Sequence, residues 1–82
     1  MGRPRAKRIQ IYAVFESLDN INDFMHLAVE KGFQVDDFQT CRPDTGFGIG
    51  VVFMLSFPKR VSHAEIIGMI KDCKGLKFVE EI

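Results

Sequence analysis

Apolar residues along this chain change their period several times, and each change is marked by residues that stop one element and start another. From Arg8 to Glu16, Ile9, Ile11, Ala13 and Phe15 alternate with Arg8, Gln10, Tyr12 and Glu16, the period-two pattern of a strand. Ser17 or Asp19 then offers a side-chain oxygen to the free N–H groups of a helix start. Between Leu18 and Lys31 the apolar positions are Leu18, Ile21, Phe24/Met25 and Leu27/Ala28, one face of a helix. Asp19 and Asp23 suit its positive end, and Gly32 is placed to end it in a left-handed conformation. Phe33–Cys41 reads as a strand with the polar and charged residues of a sheet edge.

Arg42-Pro43-Asp44-Thr45-Gly46 has the composition of a turn between antiparallel strands. Phe47–Phe57 carries the strongest alternation. Ile49, Val51, Phe53, Leu55 and Phe57 share one side, Phe47 extends it, and Pro58 closes the strand. Ser62-His63-Ala64-Glu65 is a capping box, with Val61 placed to staple onto Ile66. Ile66, Ile67, Met69, Ile70 and Cys73 form the buried stripe of this second helix, Gly75 ends it, and Leu76–Ile82 is a last strand.

The order βαββαβ predicts an α+β, ferredoxin-like domain: a four-stranded antiparallel sheet with two helices on one face. The first and third strands, the most apolar, are expected at the centre. Their core sides are Ile9, Ile11, Ala13 and Phe15, and Ile49 to Phe57 in alternation. The opposite, open face then presents Tyr12, Val14, Val52 and Met54 at its middle, an apolar patch of the kind that marks a protein interface. Residues 1–8 form a basic leader and residues 9–82 one domain.

Composition adds a charge asymmetry. The formal net charge is zero, but Arg3, Arg5, Lys7 and Arg8 crowd the leader. Residues 9–82 hold seven Lys/Arg against eleven Asp/Glu, a balance of −4, which argues against a nucleic-acid partner. Gly46-Phe47-Gly48 resembles the start of one RNA-recognition-motif signature. Thr45, however, stands where that signature has a basic residue, and Ile49 where it has its second aromatic. Cys41 and Cys73 belong to no metal pattern and suggest a reducing compartment, a single disulfide being the alternative. No stretch approaches the 18 or so apolar residues of a membrane span.

Candidate chemistry is thin. Ser17, Ser56 and Ser62 read as turn, strand and cap residues, and no pattern sets a nucleophile beside His26 or His63, so the expectation is no enzyme and no cofactor. Asp23, His26 and Glu30 on the first helix, and Asp36, Asp37 and Asp44 about the second strand, are the acidic groups to weigh for a cation. A solvated helix face and a charged edge explain them more simply. The glycines of Gly46-Phe47-Gly48-Ile49-Gly50 open a strand instead of leading into a helix, which points to close packing or a bulge over a phosphate cradle.

With these elements in place, Ser17-Leu18-Asp19-Asn20-Ile21 after the first strand resembles the turn of ACT-type regulatory domains, which often contacts an amino-acid ligand. Ser17 and Asn20 stand at the positions of that family's Asp and Gly, so the backbone-exposing glycine is absent. A closer resemblance is to the cytosolic C-terminal domain of the MgtC/SapB family of bacterial membrane proteins. It is carried by Ile9-Gln10-Ile11-Tyr12-Ala13-Val14-Phe15-Glu16, by Phe57-Pro58-Lys59-Arg60-Val61-Ser62-His63-Ala64-Glu65-Ile66-Ile67, and by Gly75-Leu76-Lys77-Phe78-Val79-Glu80-Glu81-Ile82.

The resemblance implies a non-catalytic regulatory or interaction domain at the cytoplasmic face of the cell membrane. The basic leader would follow an upstream transmembrane helix. The implied family is associated with growth under magnesium limitation. The partner would be the membrane-embedded domain of the same protein, another protein, or a second copy in a homodimer. In side-by-side ACT pairs the turn matching Ser17, Asp19 and Asn20 lies at the seam. The alternative is a sensor that binds an amino acid or divalent cation at that turn.

Overall fold

A computed structural model describes residues 6–43 and 46–82. The elements follow in the order β1 (Ala6–Phe15), α1 (Leu18–Glu30), β2 (Gln34–Cys41), β3 (Ile49–Pro58), α2 (His63–Lys71) and β4 (Leu76–Glu81). They form one antiparallel sheet in the order β2-β3-β1-β4, with both helices on one side. The ferredoxin-like α+β arrangement is the one the periodicity predicts, with β1 and β3 at the centre.

The β1–β3 pairing is unbroken from Ala6↔Pro58 to Phe15↔Ile49, so the alternation of each strand reinforces that of the other. Ile9, Ile11, Ala13 and Phe15 lie beside Val51, Phe53, Leu55 and Phe57 on one face, all buried. Ile21 and Phe24 from α1, and Ile66 and Ile70 from α2, complete that core. A run of rings crosses it: Phe15 to Phe24 at 5.9 Å between centroids, Phe24 to Phe53 at 5.2 Å, and Phe53 to Phe38 at 6.2 Å. No polar or charged residue is buried among the described residues.

Three helix ends use the expected chemistry, whereas α2 stops at Lys71 with Asp72 as its C-cap, before Gly75 is reached. Ser17 caps α1, its hydroxyl accepting the Asn20 N–H at 3.4 Å. At the other end Gly32 (φ 78°) donates to the Val29 carbonyl and Phe33 to the Ala28 carbonyl, a Schellman closure that turns Phe33 back onto the core. In α2 the Ser62 hydroxyl accepts the Glu65 N–H at 3.1 Å, and the Glu65 carboxylate accepts the Ser62 N–H at 3.2 Å. Val61 packs on the core at the staple position.

Three features of the strands also depart from the sequence reading. β1 starts at Ala6, because Ala6 and Lys7 pair with Pro58 and Phe57. Lys7 reaches over the Phe57 ring to donate to the Val61 carbonyl at 2.8 Å. β3 starts at Ile49 rather than Phe47, since Gly46 and Gly48 take positive φ values of 77° and 84°. Phe47 therefore leaves the core side and is 72% exposed. In β2 the register slips by one residue between Asp36 and Gln39, with Asp37 at φ 52°. This bulge turns Phe38 inward onto Phe53, where regular alternation would have placed Asp37.

Asp44 and Thr45 of the expected turn, and Arg3 and Arg5 of the leader, lie outside the described residues. Among the described residues no helix is long and apolar enough to cross a membrane.

Removing the central ring tests this core. Phe24→Ala is expected to cost about 3–5 kcal/mol, most of the stability of so small a domain. Ser62→Ala, which deletes only the cap, is expected to cost about 1 kcal/mol. Denaturant midpoints for the two variants check both values, and a smaller loss for Phe24→Ala than for Ser62→Ala would contradict this account of the core.

Candidate functional site

The open face of the sheet is built by register. Its residues fall in cross-strand rows because each antiparallel partner points to the same side. One row is Gln34, Ser56 and Arg8. The next is Asp36, Met54 and Gln10, with Ile82 joined through its N–H to the Gln10 carbonyl at 2.9 Å. A third is Gln39, Val52, Tyr12 and Glu80, and a fourth is Cys41, Gly50, Val14 and Phe78. Polarity therefore grades along the strands, from a polar end at Arg8 to an apolar end at Phe78.

Tyr12, Val52 and Met54 are half-buried on this face, as the sequence predicts. Val14 is on the same face but only 5% exposed. The chain leading into β3 lies against it, so that a Cβ at Gly48 would stand 3.1 Å from Val14 Cγ1 and 3.4 Å from the Lys77 stem. Close approach also explains Gly50, where a Cβ would stand 2.9 Å from Cys41 Sγ and 3.4 Å from the Tyr12 ring.

Phe78 is the residue that sequence reading missed. It is 46% exposed at the β4 edge, and its ring tilts against Tyr12 with centroids 5.8 Å apart. A register shift between Val14 and Phe15 adds Lys77 to β4 opposite that step. The only sequence signal was the length of the last strand, which fixes Phe78 and Val79 on opposite sides without saying which is which.

The structure brings Ser17 and Asn20 together and leaves Asp19 exposed on the first turn of α1. The Ser17 hydroxyl donates to Asn20 Oδ1 at 2.9 Å while accepting the Asn20 N–H. The Asn20 amide packs directly against Gly75, whose φ of 80° and lack of a side chain make room for it. The Gly75 carbonyl in turn accepts the Glu16 N–H at 2.8 Å. The turn is thus filled by its own side chain where a ligand-binding turn would expose backbone.

On the helix side, a groove of about 710 Å³ open to solvent runs between α1 and α2. Leu27, Phe33, Ile66 and Met69 line it, with Lys31 and Arg60 among its charged residues. Asp23, His26 and Glu30 are exposed on α1, and Asp36 and Asp37 flank the bulge. Asp44 lies outside the described residues. Among the described residues no three His, Cys, Asp or Glu side chains gather as a metal group. His63 Nδ1 lies 3.1 Å from Glu81 Oε1, and its ring stands edge-on to Phe57, tying the start of α2 to β4.

Both cysteines are free thiols. Cys41 is exposed on the open face, whereas the half-buried Cys73 donates to the Met69 carbonyl at 3.6 Å. Burial raises the pKa of Cys73 above its usual value, and the nearby carboxylates of Asp72 and Asp23 raise it further.

Comparison with protein-family models, with curated proteins and with solved structures returned no match.

The two thiols should differ in reactivity. At about pH 8 the raised pKa holds Cys73 as the unreactive neutral thiol, so iodoacetamide is expected to modify exposed Cys41 first. Cys73 should follow only as the domain opens. Mass spectrometry of a labelling time course checks the order, and equal rates at the two sites would contradict the packing described around Cys73.

Proposed function

We propose that this chain is a non-catalytic interaction domain, that its open sheet face meets a protein partner, and that it serves as a regulatory appendage of an MgtC/SapB-type membrane protein. The observation that carries the interaction reading is the apolar end of that face, where Tyr12, Val52, Met54 and the 46%-exposed Phe78 are contiguous across three strands. Apolar surface clustered in this way gains free energy when a partner removes it from water, whereas the same residues scattered would not mark a site.

The placement in a membrane protein rests on the segment resemblances described above. In that setting the domain lies at the cytoplasmic face, with the basic leader nearest the bilayer. Its partner is then the membrane-embedded part of the same protein, another protein, or a second copy in a homodimer.

The competing use of the β1–α1 turn, as a site for an amino acid or a divalent cation, requires Asn20 to leave Gly75 and Ser17 to give up its hydrogen bonds. Thermal unfolding with and without millimolar Mg²⁺, and with a panel of amino acids, separates the two readings. A ligand present at a hundred times its Kd stabilises by about 2.7 kcal/mol, which at this size raises Tm by roughly ten degrees or more. The expected result is no such rise with any of these compounds. A rise specific to one of them, lost in Asn20→Ala, would replace the interaction reading with the sensor.

A further inference from the structure

Positive charge collects at one end of the sheet. β1 begins at Ala6, opposite Pro58, and the connection from β3 to α2 continues there through Lys59 and Arg60. α1 finishes at the same end, where Lys31 and Arg60 line one groove and Gln34, the first residue of β2, pairs with Ser56. Lys7, Arg8, Lys31, Lys59 and Arg60 therefore stand together, five of the chain's eleven Lys and Arg residues. In sequence Arg3 and Arg5 come just before Ala6.

Arg8, Lys31, Lys59 and Arg60 are exposed, and none of them makes an ion pair among the described residues. Lys7 is held by the Val61 carbonyl. Most of the carboxylates near them have donors of their own. Glu65 accepts the Ser62 N–H, Asp36 accepts from the Gln34 amide at 3.1 Å, and Glu81 lies against His63. Glu30, beside Lys31 in sequence, makes no ion pair. At the far end Lys71, Lys74 and Lys77 are instead mixed with Glu16, Asp23 and Asp72, which lie about Gly75 and Cys73.

Unpaired like charges crowded at one end favour an anion that meets several of them at once. Single-stranded nucleic acid is held by rings set among the cations. Here Phe47 and Phe78 are exposed near the far end of β1, by Ile49 and Val14. A duplex is commonly read by a basic helix, but α1 contains no Lys or Arg and α2 only Lys71, at its far end. A protein interface has an apolar centre, and the apolar residues among these cations, Phe33 and Val61, are packed on the core. A layer of anionic headgroups needs neither rings nor a pocket, only cations projecting from one side.

We propose that this end of the domain rests on an anionic phospholipid surface through Lys7, Arg8, Lys31, Lys59 and Arg60. The proposal goes beyond the interaction reading: it stands on the charges of a different surface, and names a membrane lipid where that reading names a protein. β1 and β3 run away from this end, so the open face stands upright from the bilayer with its apolar rows furthest out.

Co-sedimentation of the intact 82-residue chain with phosphatidylcholine vesicles, with and without phosphatidylserine, tests this. Binding is expected only where phosphatidylserine is present, and is expected to fall at least about tenfold as salt rises from about 0.1 M to about 0.5 M. Each Lys or Arg near an anionic surface strengthens binding about fivefold, so Lys59→Gln with Arg60→Gln is expected to weaken it at least about tenfold. Lys74→Gln with Lys77→Gln makes the same change of charge at the far end, and is expected to leave binding within about twofold. All four side chains are exposed, and circular dichroism checks that both variants fold. Absence of binding to phosphatidylserine vesicles overturns the proposal, as does equal weakening by the two pairs of substitutions. Tighter binding to polyglutamate or to an RNA oligomer, at equal concentration of negative charge, overturns it in favour of that partner. Each of these results is distinct from failure of the interaction reading, which a ligand-specific rise in Tm would mark.

Discussion

Everything in this domain hangs on the ten-residue pairing of β1 with β3. Because their registers hold from Ala6↔Pro58 to Phe15↔Ile49 without a slip, the inward sides of both strands form one continuous apolar floor. A one-residue slip of β1 against β3 would turn Arg8 and Gln10 onto that floor and expose Phe15. The helices need only lay Phe24 and Ile21, and Ile66 and Ile70, on this floor to bury it. The same constraint creates the open face, since every residue fixed inward fixes its neighbour outward.

That dependence explains how much could be read from the sequence. The alternation of β1 and β3, the three- and four-residue spacing of α1, and the Ser62–Glu65 box are local signals strengthened by their tertiary setting, and they led to the element order and the central strands. What escaped reading depends on geometry that periodicity does not encode. The Asp37 bulge moves Phe38 inward, and nothing local to Val35-Asp36-Asp37-Phe38 announces it. Phe47 continues the β3 alternation on paper, yet the positive φ of Gly48 turns the chain first.

The candidate site was legible in the same proportion. Tyr12, Val52 and Met54 follow from the parity of long central strands. Val14 shares their parity, but the chain entering β3 covers it, which is a contact between segments more than thirty residues apart. Phe78 depended on how a short edge strand joins β1 across a register shift. At the β1–α1 turn the sequence offered Ser17 or Asp19 as the cap, of which Ser17 serves, and gave no sign that Asn20 would fill the space over Gly75.

The bulge in β2 also bears on how the sheet can grow. An outer strand with free backbone groups is a template onto which further chains can add without limit. With Asp37 in a left-handed conformation, the outer rim of β2 breaks its repeat after Asp36, so an incoming strand loses register halfway along. The opposite rim is a six-residue strand ending in Glu80 and Glu81, too short and too charged to nucleate a stack. Addition of further strands at the rims is thereby discouraged on both sides.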